Sequence, residues 1–562
     1  MDHYDAIVIG SGISGGWAAK ELCGKGLKTL LLERGRDVKH LKDYPTATKA
    51  PWEFPHRGRL PNAVLDDNPV LSRCYAYGEA TKHFFVPDKA HPYIQEKPFD
   101  WIRGYQVGGK SLLWARQTQR WSPFEFEGPS RDNFATPWPI GYDDLAPWYS
   151  YVEKFAGISG NKDGLPQLPD GEFLPPWEMN CVEKHIREKI MQRYHDRPVI
   201  IGRCAHLTKP EPIHIEQGRG QCQARDMCER GCPFGGYFNS NSTTIPWAER
   251  TGNLTLQPYS VVSEIIYDEK KNKAAGVRVI DAQTKKVSEY YARIIFVNAA
   301  CLNTNLILLN SKSSRFPNGI GNDNGLLGHY IAFHNYRGNV NAVFEGYADK
   351  YYYGRRPTEV FMPNFRNLRK PENLGFQRGY MSYFSASRAG WEQGNYKDGI
   401  GAAWKDSLSE PGIWYVSMGM QGETIPVFEN HVRLSPDKKD EWGVPQLITS
   451  VSYHDNDDKM AQDFITQGSE MLDAAGCKNI SGNNNHQNPG LDIHEMGGVR
   501  MGKDPKTSLL NEWNQLHACK NVFVTDGACM TSTGNQNPSL TFMAITARAA
   551  GHAIDEMKKQ NL

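Results

Sequence analysis

The sequence predicts an α/β chain that opens on a buried parallel strand, a glycine-rich turn and a helix. Three observations predict it. Asp5-Ala-Ile-Val-Ile-Gly10 is a short apolar, β-branched run bounded by glycine, as in a strand buried on both faces. Gly10-Ser-Gly12-Ile-Ser-Gly15-Gly16 follows, and Trp17-Ala-Ala-Lys-Glu-Leu22 continues as a helix. Far along the chain, Arg293-Ile-Ile-Phe-Val-Asn-Ala-Ala300 repeats the buried-strand pattern and runs into a helix over Asn303–Leu309.

Each part of the opening has a physical role. Gly10 allows a tight turn, Gly12 lets the backbone approach a pyrophosphate, and Gly15 lets the helix pack on the sheet. The helix N-terminus then turns its free amides to the phosphates. Thr29-Leu-Leu-Leu-Glu33 reads as a second strand ending in an acid placed to hold a ribose hydroxyl. The expectation is a Rossmann-like dinucleotide site. Its place at the start of the chain, with supporting segments far away, favours FAD over NAD, a preference that rests partly on the family resemblance given below. Arg103-Gly-Tyr-Gln-Val-Gly108-Gly109-Lys-Ser111-Leu-Leu-Trp114 forms a second glycine-rich turn. Asn253–Val262 and Ala275-Gly-Val-Arg-Val read as strands of a small β unit.

Three cysteines stand close together in a glycine-rich stretch: Cys222, Cys228 and Cys232, spaced C-x5-C-x3-C and followed by Pro233. Soft thiolates at such spacing can hold an iron–sulfur cluster. Structural zinc usually takes four ligands, and plain buried thiols are a further reading. Three protein ligands favour a three-iron form; Cys204 is the nearest fourth candidate, but it lies well before Cys222 and is not assigned. The remaining cysteines of the 11, namely Cys23, Cys74, Cys181, Cys301, Cys477, Cys519 and Cys529, read as ordinary buried thiols.

Composition excludes some classes. The 64 basic and 63 acidic residues leave a net charge of +1, so no nucleic-acid face is expected. No apolar run approaches the roughly 18 residues of a membrane span. The chain enters its first strand at once, so no signal peptide of its own is expected. Residues 36–100 have no clear period and read as loops covering a cofactor or making an interface.

Near the C-terminus stand His494-Glu-Met-Gly-Gly-Val-Arg-Met-Gly502, then Asn521-Val-Phe-Val-Thr-Asp526-Gly-Ala, then Asn537-Pro-Ser-Leu-Thr541. With the glycine turns, and in this order, these segments resemble the glucose–methanol–choline (GMC) oxidoreductase family over nearly the whole chain. Within it, a His partnered by an Asn, and G-G-x-S-x-x-W at the second turn, resemble pyranose oxidases and bacterial sugar dehydrogenases. The cysteine triplet is similar to that of the bacterial glucose, gluconate and fructose dehydrogenase catalytic subunits, where it holds a [3Fe–4S] cluster between FAD and a cytochrome subunit.

The resemblance implies a Rossmann-like FAD-binding domain of GMC type at 1–125, 240–325 and 490–562. It implies a cysteine-rich iron–sulfur segment at 200–239. An α+β substrate domain at 126–199 and 326–489 would have an antiparallel sheet roofing the flavin, with Glu429–Ser435 as one strand-like stretch. It implies FAD held by Gly10, Gly12, Gly15, Glu33, Gly108, Gly109, Ser111, Val262, Asp526 and Asn537, and a cluster on Cys222, Cys228 and Cys232. Pyranose oxidases attach FAD through a histidine where this chain has Leu113, so non-covalent FAD is implied.

Oxidising a secondary alcohol needs a base for the hydroxyl proton while hydride leaves carbon. His494 is the candidate base, and Asn537 the amide that holds the reacting oxygen. His334 is a weaker candidate, read as structural. The leading expectation is a dehydrogenase acting on a sugar, glycoside or sugar acid. Its electrons would leave through the cluster to a partner, with a small subunit and a cytochrome-type acceptor implied. The alternatives are an oxygen-using sugar oxidase and a non-catalytic flavin electron-transfer subunit. The address implied by the resemblance is the periplasmic face of the bacterial inner membrane, reached through a signal-bearing partner, with the cytoplasm as the alternative.

Overall fold

A computed structural model describes residues 3–350, 356–388, 399–409 and 411–562. The parts of the expected 1–125 and 326–489 segments that fall at 1–2, 351–355, 389–398 and 410 lie outside the described residues.

Two sheets carry the fold. The first has eight strands, with the path Gln515–Leu516, Cys519–Val524, Val287–Val297, His3–Ile9, Thr29–Leu32, Leu254–Gln257. Its centre is parallel, with Ile9 opposite both Val297 and Leu32. Alternate side chains go to opposite faces. Ala6 and Val8 pack with Ala18, Ala19 and Leu22 of helix Ile13–Gly24 and with Ala549, Ala550 and Ala553 of helix Ser539–Lys558. Ile7 and Ile9 enter the larger core on the other side. Burial on both faces explains why the strand reads as a continuous apolar run. Each such branched side chain contributes about 1.5–3 kcal/mol when fully buried. The small residues on both helices let them lie close to the sheet. Strands Ser260–Asp268 and Lys273–Asp281 form the small antiparallel unit, which joins the sheet through Val287–Tyr291.

The second sheet has seven strands, with the path Lys478–Asn484, Gly338–Phe344, Trp414–Glu423, Tyr380–Arg388, Val360–Met362, Ile200–Ile201. Every pairing in it is antiparallel. Val340, Phe384, Met418 and Met420 bury one face against Phe464 and Met471 of helix Asp455–Ala474 and Ile186 of helix Cys181–Arg193. The neighbours in each strand, Asn339, Tyr383, Gln421 and Phe361, point the other way and roof a large cavity. Period-two alternation thus makes one face core and the other a binding wall.

Three segments sit elsewhere than the sequence suggests. Helix Tyr142–Ala156, expected in the substrate domain, buries Leu145, Tyr149, Val152 and Phe155 in the core of the first sheet. Its Tyr149 hydroxyl meets Thr541 Oγ1 at 2.8 Å. Ile200–Ile201 opens the expected cysteine segment but is the edge strand of the roof, pairing with Phe361 and Val360. The stretch around Glu429–Ser435 does form a strand, His431–Lys439, yet it pairs with Pro445–Ser450 in a three-stranded sheet with Ile94–Gln95. Val432 and Leu447 then join the core of the first sheet. Alternation specifies a half-buried element; it does not say which core receives it.

Residues 36–100 are mostly turns and short helical segments around their own small cluster of Val38, Leu71, Phe84 and Phe85. Among the described residues no helix is long and apolar enough to cross a membrane. All eleven cysteines are free; Cys181, expected buried, is only half-buried because it begins a helix at the surface.

Candidate active site

A cavity of about 960 Å³ runs between the two sheets. At one end stands the first glycine turn. Gly10 has φ +93°, and a Cβ there would lie 2.3 Å from the Asn298 carbonyl oxygen. A Cβ on Gly15 would lie 1.7 Å from the Gly10 carbonyl oxygen, so this glycine is required for the helix to dock. Gly12 differs: a Cβ would meet nothing within 4 Å, because it would project into the cavity. That open cradle is what a bound pyrophosphate needs.

Glu33 is buried beside this turn and lines the cavity. Its Oε2 accepts from Ser11 N at 3.1 Å and Ser11 Oγ at 2.5 Å, and its Oε1 accepts from Gly35 N at 2.9 Å. Burial pushes its pKa up, and these donors oppose the shift. A carboxylate has about four acceptor sites, so Oε1 keeps capacity for a ribose hydroxyl.

The second glycine turn abuts the first. A Cβ on Gly109 would lie 3.4 Å from Gly12 Cα. Gly108, at φ +89°, leaves room for Asn241, whose Nδ2 donates to Val38 O at 2.7 Å and Val107 O at 2.8 Å. Ser111 Oγ donates to Gly108 O at 2.5 Å and accepts from Ser240 N at 3.1 Å. Val262, on strand Ser260–Asp268, and Leu113 also line the cavity.

At the other end the C-terminal segments converge. Asp526 accepts from Thr304 Oγ1 at 2.6 Å and from Ala528 N at 3.0 Å, and burial raises it to about 6. Asn537 stands just before Pro538 and the helix Ser539–Lys558, with its Oδ1 buried and unpartnered. His494 lines the same cavity. Its Nδ1 lies 2.8 Å from His334 Nδ1. Asp492 Oδ2 accepts the backbone N–H of His334 at 2.9 Å and of His494 at 3.2 Å. Burial holds His494 well below its ordinary value of 6.5, and His334 and Lys110 add to the shift. Neutral imidazole is therefore its form near pH 7, as a base requires.

Over His494 the roof supplies Tyr336, whose ring lies 6.0 Å away. The Tyr336 hydroxyl donates to Gln421 Oε1, and Gln421 Nε2 donates to Asn535 O at 2.9 Å. The roof is thereby tied to the loop that carries Asn537.

Of the three clustered cysteines, Cys228 lines the cavity, and all three are partly buried. Cys232 Sγ accepts from Gly236 N at 3.3 Å, and His206 Nε2 lies 3.5 Å from Cys228 Sγ. Burial raises the thiols of Cys222 and Cys228 to about 11 and about 12. Two buried guanidiniums accompany them. Arg116 pairs with Glu229 at 2.9 Å and keeps Nε and Nη1 unpartnered; its nearest thiol influence is Cys228. Arg219 keeps Nη2 unpartnered, and burial lowers it to about 9, opposed by Cys232. His206 Nδ1 is also buried without a partner. Cys204 is fully buried with its Sγ 3.3 Å from Ser159 Oγ, so it is engaged elsewhere.

Sequence reasoning missed Ser11, Asn241, Asp492, Tyr336, Gln421 and the two arginines. Ser11 lies inside the glycine motif and Asp492 lies two positions before His494, so both had a local signal. Tyr336 and Gln421 gain meaning only when the roof strands pair.

Residues 4–334 and 426–546 match the N-terminal and C-terminal models of a family described as GMC oxidoreductase. The chain is 28% identical to 2-methyl-1,2-propanediol dehydrogenase of Mycolicibacterium austroafricanum, over 98% of this chain and 95% of that one. It is 26% identical to the fructose dehydrogenase large subunit of Gluconobacter japonicus, over 99% and 98%. A structure of an Aspergillus oryzae formate oxidase variant, concerned with FAD modification, superposes with a TM-score of 0.62 at 13% identity, covering 99% of both chains.

Proposed function

Because the chain belongs to the GMC oxidoreductase family and is an FAD-dependent oxidoreductase acting on CH–OH groups, we propose that it is a dehydrogenase for a secondary alcohol of a sugar, glycoside or sugar acid. The observation that carries the reading is His494, neutral and turned to the same cavity that begins at Gly12. FAD, when bound, supplies the hydride acceptor. The open cradle at Gly12, the spare capacity of Glu33 and the abutting turn at Gly109 fit it. His494 takes the hydroxyl proton. Asn537 holds the reacting oxygen through its amide, and the roof residues Tyr336, Tyr383 and Gln421 orient the rest of the substrate.

Cys222, Cys228 and Cys232 would hold a [3Fe–4S] cluster, which supplies one-electron steps when bound. The residues present fit it. Cys232 Sγ accepts from Gly236 N, His206 Nε2 lies beside Cys228 Sγ, and the buried Arg219, which neighbours Cys232, keeps Nη2 unpartnered with no carboxylate among the described residues paired to it. A buried cation without an acid is costly unless a negative group joins it. The fructose dehydrogenase relative is named a large subunit, which supports an assembly with a small subunit and a cytochrome-type acceptor. The same reading extends to work at the periplasmic face of a bacterial inner membrane, with a signal-bearing partner supplying the route. Fractionation of cells with and without that partner tests the address.

The test of the function is anaerobic flavin bleaching with a panel that includes D-fructose and 2-methyl-1,2-propanediol, followed by addition of an artificial acceptor or oxygen. Bleaching by D-fructose or another sugar with rapid reoxidation only by the acceptor supports the dehydrogenase; bleaching by 2-methyl-1,2-propanediol alone, whose hydroxyls are primary and tertiary, overturns the secondary-alcohol reading. Rapid reoxidation by oxygen makes it an oxidase.

A further inference from the structure

We propose that His334 is a positioning residue that fixes the proton of His494 on Nδ1, leaving Nε2 to meet the substrate hydroxyl as a base. The inference rests on the reading of His494 as that base.

The geometry sets each proton in turn. His334 Nε2 lies 3.2 Å from Thr533 O and 3.0 Å from Gly534 O. Carbonyl oxygens only accept, so this nitrogen carries hydrogen. A neutral imidazole has one N–H, so His334 Nδ1 is an acceptor. The group 2.8 Å away is His494 Nδ1, which must then donate. The lone pair of His494 is left on Nε2, at the opposite edge of a ring that lines the cavity.

Were His334 protonated, both its nitrogens would donate and His494 would carry its proton on Nε2, where it cannot act as a base. Complete burial prevents this by pushing His334 down to about 4. A carboxylate in the same place would also orient the ring, but its charge would raise the basicity of His494. A neutral histidine orients without that effect. Asp492 keeps the two backbones at fixed spacing through its two N–H contacts. The other ionisable groups facing His494 are Lys110, Glu495, which pairs with Lys110 at 3.2 Å, and Tyr336.

With FAD bound to accept the hydride, the hydroxyl proton would pass to His494 Nε2. The alcohol would become the carbonyl compound, a ketone from a secondary hydroxyl and an aldehyde from a primary one, and the N–H facing His334 does not move.

Two substitutions separate orientation from bulk. In His334→Asn the amide oxygen stands where Nδ1 was and can still accept from His494. In His334→Gln the amide nitrogen stands where Nε2 was and can still serve Thr533 and Gly534, but nothing accepts from His494. The holoenzymes are compared by anaerobic stopped-flow flavin reduction with whichever of D-fructose or 2-methyl-1,2-propanediol bleaches faster. In parallel, carbethoxylation of His494 by diethyl pyrocarbonate is followed by peptide mapping against pH. The expectation is about tenfold to hundredfold slower reduction in His334→Gln at unchanged half-saturation, with His334→Asn close to wild type. Wild-type His494 should be modified with a midpoint below pH 6.5. Equal rates in wild type and His334→Gln, or equal impairment of both variants with FAD retained, overturns the proposal. A wild-type modification midpoint at or above 6.5 does the same, and needs neither variant nor substrate. Full flavin reduction in His494→Ala would instead overturn the base reading itself.

Discussion

Ser11 Oγ donates to Glu33 Oε2 at 2.5 Å and accepts from Gly108 N at 3.0 Å. One hydroxyl thus locks the ribose acid, the first glycine turn and the second glycine turn into a single frame. Charge-assisted contacts of this kind are about twice as strong as neutral ones. Glu33→Gln keeps the shape and loses the charge. It should hold FAD at least tenfold more weakly, read as flavin lost on dialysis. Unchanged retention would mean the adenosine end is held elsewhere.

Gly12 and Gly15 belong to one motif but guard different things. Gly12→Ala places its methyl in open cavity, so the apoprotein should fold with an unchanged melting temperature and bind FAD poorly. Gly15→Ala drives its methyl into the Gly10 carbonyl. Overpacking costs about 1–3 kcal/mol or more, so this variant should melt lower even without FAD. Equal behaviour of the two would contradict the division.

His494→Ala should keep yellow, bound FAD and lose flavin reduction by about two to four orders of magnitude. The pH profile follows from the direction of the shift. A base whose value lies well below 6.5 is already deprotonated above that pH. Reduction should be flat from pH 6.5 to 8 and fall only on the acid side. A rise through pH 7 would show a base with an ordinary or raised value.

Arg219 is a buried cation with Nη2 unpartnered and Cys232 as its neighbour. Arg219→Met removes the hydrogen bonds to Gly235 O and Ala156 O, and a counter-charge in the protein holding a cluster. The apoprotein should melt somewhat lower than wild type because buried carbonyls lose their donors, and iron should be lost faster on dialysis, whereas Arg219→Lys, which keeps the charge, should retain more of it. Wild-type iron retention would sever this residue from the site.

The sequence showed most clearly what is enforced locally. Gly10, Gly12 and Gly15 were readable because turn, phosphate approach and helix packing each exclude a side chain at one position. His494 and Asn537 were readable through a block of C-terminal motifs in fixed order. The roof was expected in kind, but its wall of Tyr336, Tyr383 and Gln421 was not, since facing depends on strand pairing. Helix Tyr142–Ala156 and strand His431–Lys439 carry amphipathic patterns that fit either core, and both went to the first. His334 was read as structural. Its partner lies far along the chain, so their 2.8 Å contact has no local sequence signature.

The central claim is that His494 takes the hydroxyl proton while a bound flavin would accept the hydride, and that electrons would leave one at a time through a cluster on Cys222, Cys228 and Cys232. Low-temperature electron paramagnetic resonance of anaerobically prepared protein, with iron and labile sulfide assayed on the same sample, tests it most directly. The account predicts a sharp signal from an oxidised three-iron cluster in wild type. In Cys228→Ser it predicts loss of that signal with FAD retained and flavin still bleached by substrate. Wild-type protein with no iron and no signal, or Cys228→Ser passing electrons to its partner as fast as wild type, would contradict the dehydrogenase reading and leave an oxygen-using oxidase in its place.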